Sequence, residues 1–170
     1  VGVRMGPVAL RTDDPMVVLH ESALVSAEAA RIAQHRLAEL ELEAVAGAVE
    51  TPGVRELLQV CGETGIGVAV VSNNTGPAIR SFLEARGLDV FVAHVVGRDP
   101  VDVGLLKPDP YVVNTALRLL DCAAAEATRA RSCGPVTGTR PQVAGSYAAR
   151  YASSEYISAV VPGGGTGSAR

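Results

Sequence analysis

Residue types that build disulfide frameworks or zinc sites are scarce in this sequence. Its 170 residues include three cysteines and three histidines. Cys61, Cys122 and Cys133 lie far apart, without a Cys-x-x-Cys pair, which argues against both a disulfide framework and a zinc site. The three histidines also lack the spacing of paired metal ligands. We interpret these residues as ordinary packed or surface side chains.

The sequence also lacks a positive charge excess and a long apolar run. Its formal net charge is -3 at pH 7, whereas nucleic-acid binding relies on clustered basic residues. Polar and charged residues interrupt every apolar run well short of the roughly 18 residues that a membrane helix needs, and the first residues do not form a signal-peptide pattern. We therefore expect a single-domain cytoplasmic protein without a nucleic-acid or membrane partner, and the sequence carries no sign of its oligomeric state.

A short apolar run followed by polar residues is the most informative stretch of the chain. Residues 66–71 are continuous, apolar and rich in β-branched side chains, which predicts a strand buried on both faces, as in a parallel sheet. The following residues, 72–77, include Pro77, which suits the first turn of a helix. Ligands bind beyond the carboxyl ends of such strands, and helix N-termini offer N–H groups to anions. Ser72 and Asn73 would stand at that place.

A solitary lysine marks a second informative stretch. Residues 105–110 read Leu-Leu-Lys-Pro-Asp-Pro and lead into another predicted helix, with Asp109 as N-cap and Pro110 in its first turn. Lys107 is the only lysine, since every other strongly basic residue is arginine. A compact ammonium charge beside a phosphate is one reason for such an exception. The ordinary alternatives are a solvated loop lysine and, for Ser72, a helix-capping serine.

Taken together, these stretches resemble motifs of haloacid dehalogenase-like (HAD) hydrolases, most of which are phosphatases. Residues 70–74 are similar to the second motif of the family, and residues 107–110 are similar to the third. Two further phrases, Thr-Pro-Gly-Val-Arg-Glu-Leu-Leu at 51–58 and Val-Gly-Arg-Asp at 96–99, fit the family at the right places. The order and spacing of the four segments carry the resemblance.

The resemblance implies an α/β fold with a Rossmann-like parallel sheet flanked by helices. It covers residues 51–121 well, and 14–50 more loosely as a small helical cap. Helical patterns at 16–24 and 26–45, the latter with Ser26 as N-cap, would form that cap. The expected segments are 1–50 (cap-like), 51–127 (an incomplete HAD-like core) and 128–170 (an atypical segment with a disordered, glycine-rich tail).

The resemblance also implies roles for three residues. The Ser72 hydroxyl would hydrogen-bond a phosphate oxygen, and the backbone N–H of Asn73 would add a donor. Lys107 would be both a phosphate-binding and a catalytic residue, because its charge would stabilise the transferring phosphoryl group. The implied partner is a small phosphorylated molecule, and the implied cofactor is Mg²⁺.

Two acidic motifs of the family are not found in the sequence. An Asp-x-Asp motif would supply the nucleophile and the general acid/base, but Asp13 and Asp14 are adjacent and would point to opposite faces of a strand. We interpret them as a turn or helix start. After Asp121 the only acids are Glu126 and Glu155. Because Mg²⁺ demands hard oxygen ligands, we identify no metal ligand.

Two function classes follow from this mixture of present and missing motifs. One is a HAD-like phosphatase by lineage that is catalytically incomplete as this chain. The other is a degenerate, non-catalytic module that binds an anion or a protein. A third possibility is poor folding, because a lost sheet edge would expose apolar surface.

The two ends of the sequence raise hypotheses about the gene. The start at Val1 suggests a truncated or misplaced start site. From residue 128, arginine, glycine and serine replace the apolar periodicity, so the core pattern is lost where the resemblance implies a strand. Residues 145–155 could form a helical face and residues 156–161 one strand. A reading-frame shift near Ala127 and a diverged terminus are the two explanations.

Overall fold

The computed structural model describes residues 11–131 and 158–162. Within these ranges a helical hairpin precedes a small α/β unit. Three short 3₁₀ turns lie at Asp89–Phe91, Val103–Leu105 and Ala124–Glu126. The helices and strands, in chain order, are α1 (Pro15–Val25), α2 (Ala27–Gly47), α3 (Val54–Glu63), β1 (Ala69–Val71), α4 (Gly76–Ala85), β2 (His94–Val96), α5 (Tyr111–Leu119), β3 (Ala127–Arg131) and β4 (Ser158–Pro162).

The predicted helical hairpin is present. Asp14 caps α1 by accepting the N–H of Met16 at 2.8 Å, which confirms the predicted helix start. Ser26 caps α2 through a 3.1 Å bond from the N–H of Ala29. Ile32 in α2, although apolar, is 48% exposed. The buried face instead includes polar side chains, described below, because it packs against α4 and the loops beside it.

The sheet has the strand order β2-β1-β4-β3. β1 and β2 run parallel, with Ala69 opposite His94 and Val71 opposite Val96, as the α/β prediction requires. β4 pairs antiparallel with both β1 and β3. The carboxyl ends of β1 and β2 therefore meet at the same edge of the sheet, where the predicted ligand site lies.

β1 is buried on both faces, as its continuous apolar sequence predicts. Val70 packs on one side, and Ala69 and Val71 pack on the other. The buried members of the first cluster are Leu58, Cys61, Val68, Val70, Ile79, Leu83 and Leu88. The second cluster buries Ala69, Val71, Val96, Val112 and Ala116. Helices α3 and α4 thus cover one face, and α5 covers the other.

The predicted start of the first strand is wrong by three residues. The strand predicted over 66–71 is shorter because the N–H of Ile66 donates to the carbonyl of Cys61 at 2.8 Å, closing the turn after α3. α3 itself begins after Gly53, whose φ of 82° requires glycine-like freedom. The apolar run at 91–96 pairs as a strand only from His94.

Although the apolar pattern is lost from residue 128, Ala127–Arg131 forms the strand β3. It pairs with β4 over five positions, from Ala127 opposite Pro162 to Arg131 opposite Ser158. Backbone groups form such a ladder whatever the side chains, so the change in composition does not prevent it. The strand predicted at 156–161 is present as β4, shifted toward the C-terminus. The predicted helical face at 145–155 and the glycine-rich tail at 163–170 lie outside the described residues.

Across the described part of the chain, no helix combines the length and the apolar character that crossing a membrane requires.

Candidate anion-binding site

The three predicted site residues lie together at the carboxyl end of β1. Ser72 and Asn73 follow that strand directly and are buried. Asn73 holds Lys107 through two bonds: its Oδ1 accepts the Lys107 N–H at 2.8 Å, and its Nδ2 donates to the Lys107 carbonyl at 3.4 Å. The Lys107 Nζ lies 3.4 Å from the carbonyl oxygen of Val71. A segment 34 positions away is thereby fixed against the strand end.

Ser72 stabilises the loop between β1 and α4, residues 72–75, which we call the β1–α4 loop. Its Oγ accepts the N–H of Asn74 at 3.0 Å in a buried bond. The ordinary alternative of a helix cap is wrong for Ser72, because the N-cap of α4 is Thr75. Pro77 lies in the first turn of α4, as predicted. The sequence thus predicts the position of Ser72 and the start of the helix after it.

The second predicted helix start is also close to that observed. α5 begins at Tyr111, with Pro110 as its N-cap residue. The side chain of Asp109 still supplies the capping bond, since its Oδ1 accepts the N–H of Tyr111 at 2.8 Å. The segment just before this helix includes Lys107, whose backbone binds the Asn73 side chain in the β1–α4 loop.

A buried ion pair that the sequence analysis did not predict also contacts the β1–α4 loop. Arg98 donates from Nη1 to Oε1 of Glu41 at 2.6 Å, and their side chains are 0% and 5% exposed. The same Nη1 donates to the carbonyl of Asn73 at 2.7 Å. The Arg98 Nε donates to Oε1 of Gln34 at 2.7 Å, and Oε2 of Glu41 accepts the N–H of Thr75 at 2.8 Å.

A sequence signal for this network exists in α2. Gln34 and Glu41 are seven positions apart, which places them on one helical face. Ala44 and Val45 on the same face are apolar. Two polar residues beside them could have indicated buried side chains that bind a polar partner elsewhere in the chain.

Gly97 brings the segment after β2 into direct contact with the β1–α4 loop. A Cβ atom at Gly97 would lie 2.4 Å from the N of Gly76 and 2.8 Å from the carbonyl O of Asn74. The N–H of Arg98 donates to that same carbonyl at 2.8 Å. The close approach leaves no room for a side chain, so glycine is required here on steric grounds.

A cleft of about 330 Å³ opens between α1 and α2. Asp13, Asp14 and Glu41 contribute to its lining, which is mostly apolar. The Asp14 carboxylate caps α1, as described above. Within residues 11–131 and 158–162, no group of three or more His, Cys, Asp or Glu side chains could hold a metal ion.

The pKa shifts that are resolved belong to exposed pairs on α2. A hydrogen bond from Arg31 lowers the pKa of Glu28, and the carboxylate in turn raises the pKa of Arg31. A hydrogen bond from Arg36 likewise lowers the pKa of Glu39, and the pKa of Arg36 is raised. Solvent screens such pairs, so they contribute little to stability.

A family model for haloacid dehalogenase-like hydrolases matches residues 17–128. The matched segment runs from α1 to the beginning of β3 and includes Ser72, Asn73 and Lys107. Neither a curated protein nor a solved structure matches the chain. The match extends over well more than half of the sequence, and the parallel β1–β2 pair with its flanking helices agrees with it. The chain belongs to the haloacid dehalogenase-like hydrolases.

Proposed function

We propose that this chain derives from a phosphatase acting on a small phosphorylated metabolite and binds phosphate at the β1–α4 loop. The observation that carries the proposal is the pair of hydrogen bonds by which Asn73 holds Lys107 beside Ser72. An ammonium group and a serine hydroxyl at one strand end are suited to an anion.

Each of the three residues has a distinct part in the proposed site. Ser72 already accepts the Asn74 N–H, but a hydroxyl has one proton to donate as well as two lone pairs, so it can also donate to a phosphate oxygen. The ammonium group of Lys107 would stabilise the charge on the phosphoryl group. Asn73 would add its backbone N–H, while its side chain orients the Lys107 backbone.

The chemical step needs groups that we do not assign. Members of the family generally use Mg²⁺, which would stabilise charge on the phosphate when bound. Because no group of three or more His, Cys, Asp or Glu side chains among the described residues could hold a metal ion, the proposal gives Ser72, Asn73 and Lys107 the tasks of binding and orientation. We therefore propose that the chain carries the binding half of a phosphatase site.

We also propose that the segments 1–50, 51–127 and 128–170 are the cap, the core and an atypical end. A cytoplasmic location stays a prediction from composition.

A non-catalytic anion- or protein-binding module is the second candidate. The position of Asp14 supports it, because this carboxylate is engaged in capping α1 instead of standing at a strand end as a nucleophile. Such a module would keep phosphate affinity without turnover.

Hydrolysis of a generic aryl phosphate tests the two candidates. The purified chain would be assayed with and without Mg²⁺, beside Lys107→Ala and the control Arg118→Ala, which removes an exposed cation from α5. Metal-dependent turnover that is lost only in Lys107→Ala would support an active phosphatase. Phosphate binding without turnover would support the module. A folded chain that neither hydrolyses the ester nor binds phosphate would contradict the phosphatase and the anion-binding module.

A further inference from the structure

The Arg98–Glu41 ion pair lies in the protein interior, where an ion pair adds little net stability. Both side chains are almost wholly removed from solvent, and desolvating two charges commonly cancels their attraction. The Arg98 Nη2 is buried and has no hydrogen-bond partner within the described ranges. Replacing such a pair by apolar side chains is often neutral or stabilising, so the contacts of this pair point to a task beyond stability.

The backbone groups that the pair contacts belong to the proposed phosphate site. Arg98 holds the carbonyl of Asn73 through Nη1 and the carbonyl of Asn74 through its own N–H. Glu41 holds the N–H of Thr75. Three consecutive loop residues are thereby held by Arg98, which follows β2, and by Glu41 of α2, while the Asn73 side chain binds the Lys107 backbone.

We propose that Arg98 and Glu41 are positioning residues, through which helix α2 sets the geometry and the charge of the β1–α4 loop for anion binding. This inference rests on the proposed phosphate site. Glu41 orients the Thr75 amide at the start of α4, and Arg98 neutralises the Glu41 carboxylate so that no net negative charge faces the incoming anion. The helical hairpin is then part of the binding site and not only a cover beside it.

The two residues differ in what their removal does. Arg98→Met leaves the Glu41 carboxylate uncompensated near the loop, which repels phosphate and frees the Asn73 carbonyl. Glu41→Gln keeps an oxygen that can accept the Thr75 N–H and removes the negative charge. Adding Glu41→Gln to Arg98→Met should therefore restore much of the phosphate affinity, an asymmetry that simple loss of packing does not produce.

Calorimetric titration of inorganic phosphate into the full chain tests this inference. Arg98→Met should weaken binding about tenfold or more, because the unpaired Glu41 carboxylate would repel the phosphate, and the double variant should recover most of the loss. The matched control is Arg31→Met with Glu28→Gln, an exposed pair on the same helix, which should bind like the wild type. Folded Arg98→Met with wild-type affinity would overturn the proposal.

If Arg98→Met does not fold, amide hydrogen exchange in a second variant tests the positioning role. In Glu41→Ala the Thr75 amide should exchange at least about tenfold faster, while the amide of Val70 in β1 keeps its rate. Unchanged exchange at Thr75 would overturn the positioning role. If the wild type does not bind phosphate but Thr75 responds as expected, the phosphate proposal fails and the loop-positioning contact stands.

Discussion

Gly97→Ala should destabilise the chain through one close backbone approach. An added Cβ would lie 2.4 Å from the N of Gly76, 2.8 Å from the O of Asn74 and 2.9 Å from the backbone C of Thr75. Optimal contacts between carbon atoms are about 3.5–4.0 Å. All three atoms belong to the backbone, so no side-chain rotation can relieve the overlap, and the β1–α4 loop itself must shift.

The size of the effect follows from the cost of overpacking. An added carbon in a tightly packed place typically costs about 1–3 kcal/mol, and three simultaneous backbone overlaps place Gly97→Ala at about 2 kcal/mol or more by the same principle. For a chain of this length, each kcal/mol lowers Tm by about 2–4 °C. We therefore expect a fall in Tm of about 4–8 °C, together with weaker phosphate binding because the loop moves.

Thermal and urea unfolding would measure this change beside a matched glycine. Gly47→Ala is the control, since nothing lies within 4 Å of the Cβ that it would add at the end of α2. Its stability should stay the same or rise by up to about 1 kcal/mol, because alanine favours helix. A Gly97→Ala chain that unfolds like the wild type, with unchanged amide resonances at 74–76, would refute the steric reasoning.

Further predictions concern the helical hairpin. Leu19→Ala should lower the free energy of unfolding in urea by about 2–5 kcal/mol, because Leu19 is 1% exposed in α1. The control Leu24→Ala on the same helix should be nearly neutral, because Leu24 is 81% exposed. Equal losses in the two variants would contradict the packing. Glu28→Gln should leave Tm at pH 7 unchanged within error. The hydrogen bond from Arg31 lowers the pKa of Glu28, so any stabilisation is present above the ordinary carboxyl pKa and disappears as pH falls through the lowered pKa. A wild-type advantage over Glu28→Gln that grows on acidification would have the wrong sign.

The elements near the site were predictable because their signals are local. The apolar residues of β1, the Ser26 cap and the proline in the first turn of α4 each follow from a few neighbouring residues. Asn73 could be placed beside β1, but the use of its side chain to hold Lys107 depends on two loops meeting. Pattern and motif therefore predicted where the three site residues lie and not how they are held.

The ion pair and β3 were missed for reasons of distance and composition. Glu41 and Arg98 are 57 positions apart, and a glutamate within a helix normally indicates a solvated face. The arginine-containing sequence of β3 lacks an apolar alternation, yet its backbone pairs with β4 from beyond residue 157. Long-range pairing decides both features, since the local pattern of α2 places Gln34 and Glu41 on one face but does not identify Arg98 as their partner.

A phosphate titration that is monitored through the amide resonances tests most directly whether this family member binds phosphate at the end of β1. Inorganic phosphate added to the labelled wild-type chain should shift the amide signals of residues 72–75 and of Lys107 at one common affinity. Lys107→Met should abolish these shifts, while the exposed control Arg118→Met retains them. Shifts confined to other parts of the chain, or equal shifts in Lys107→Met, would contradict the proposed site.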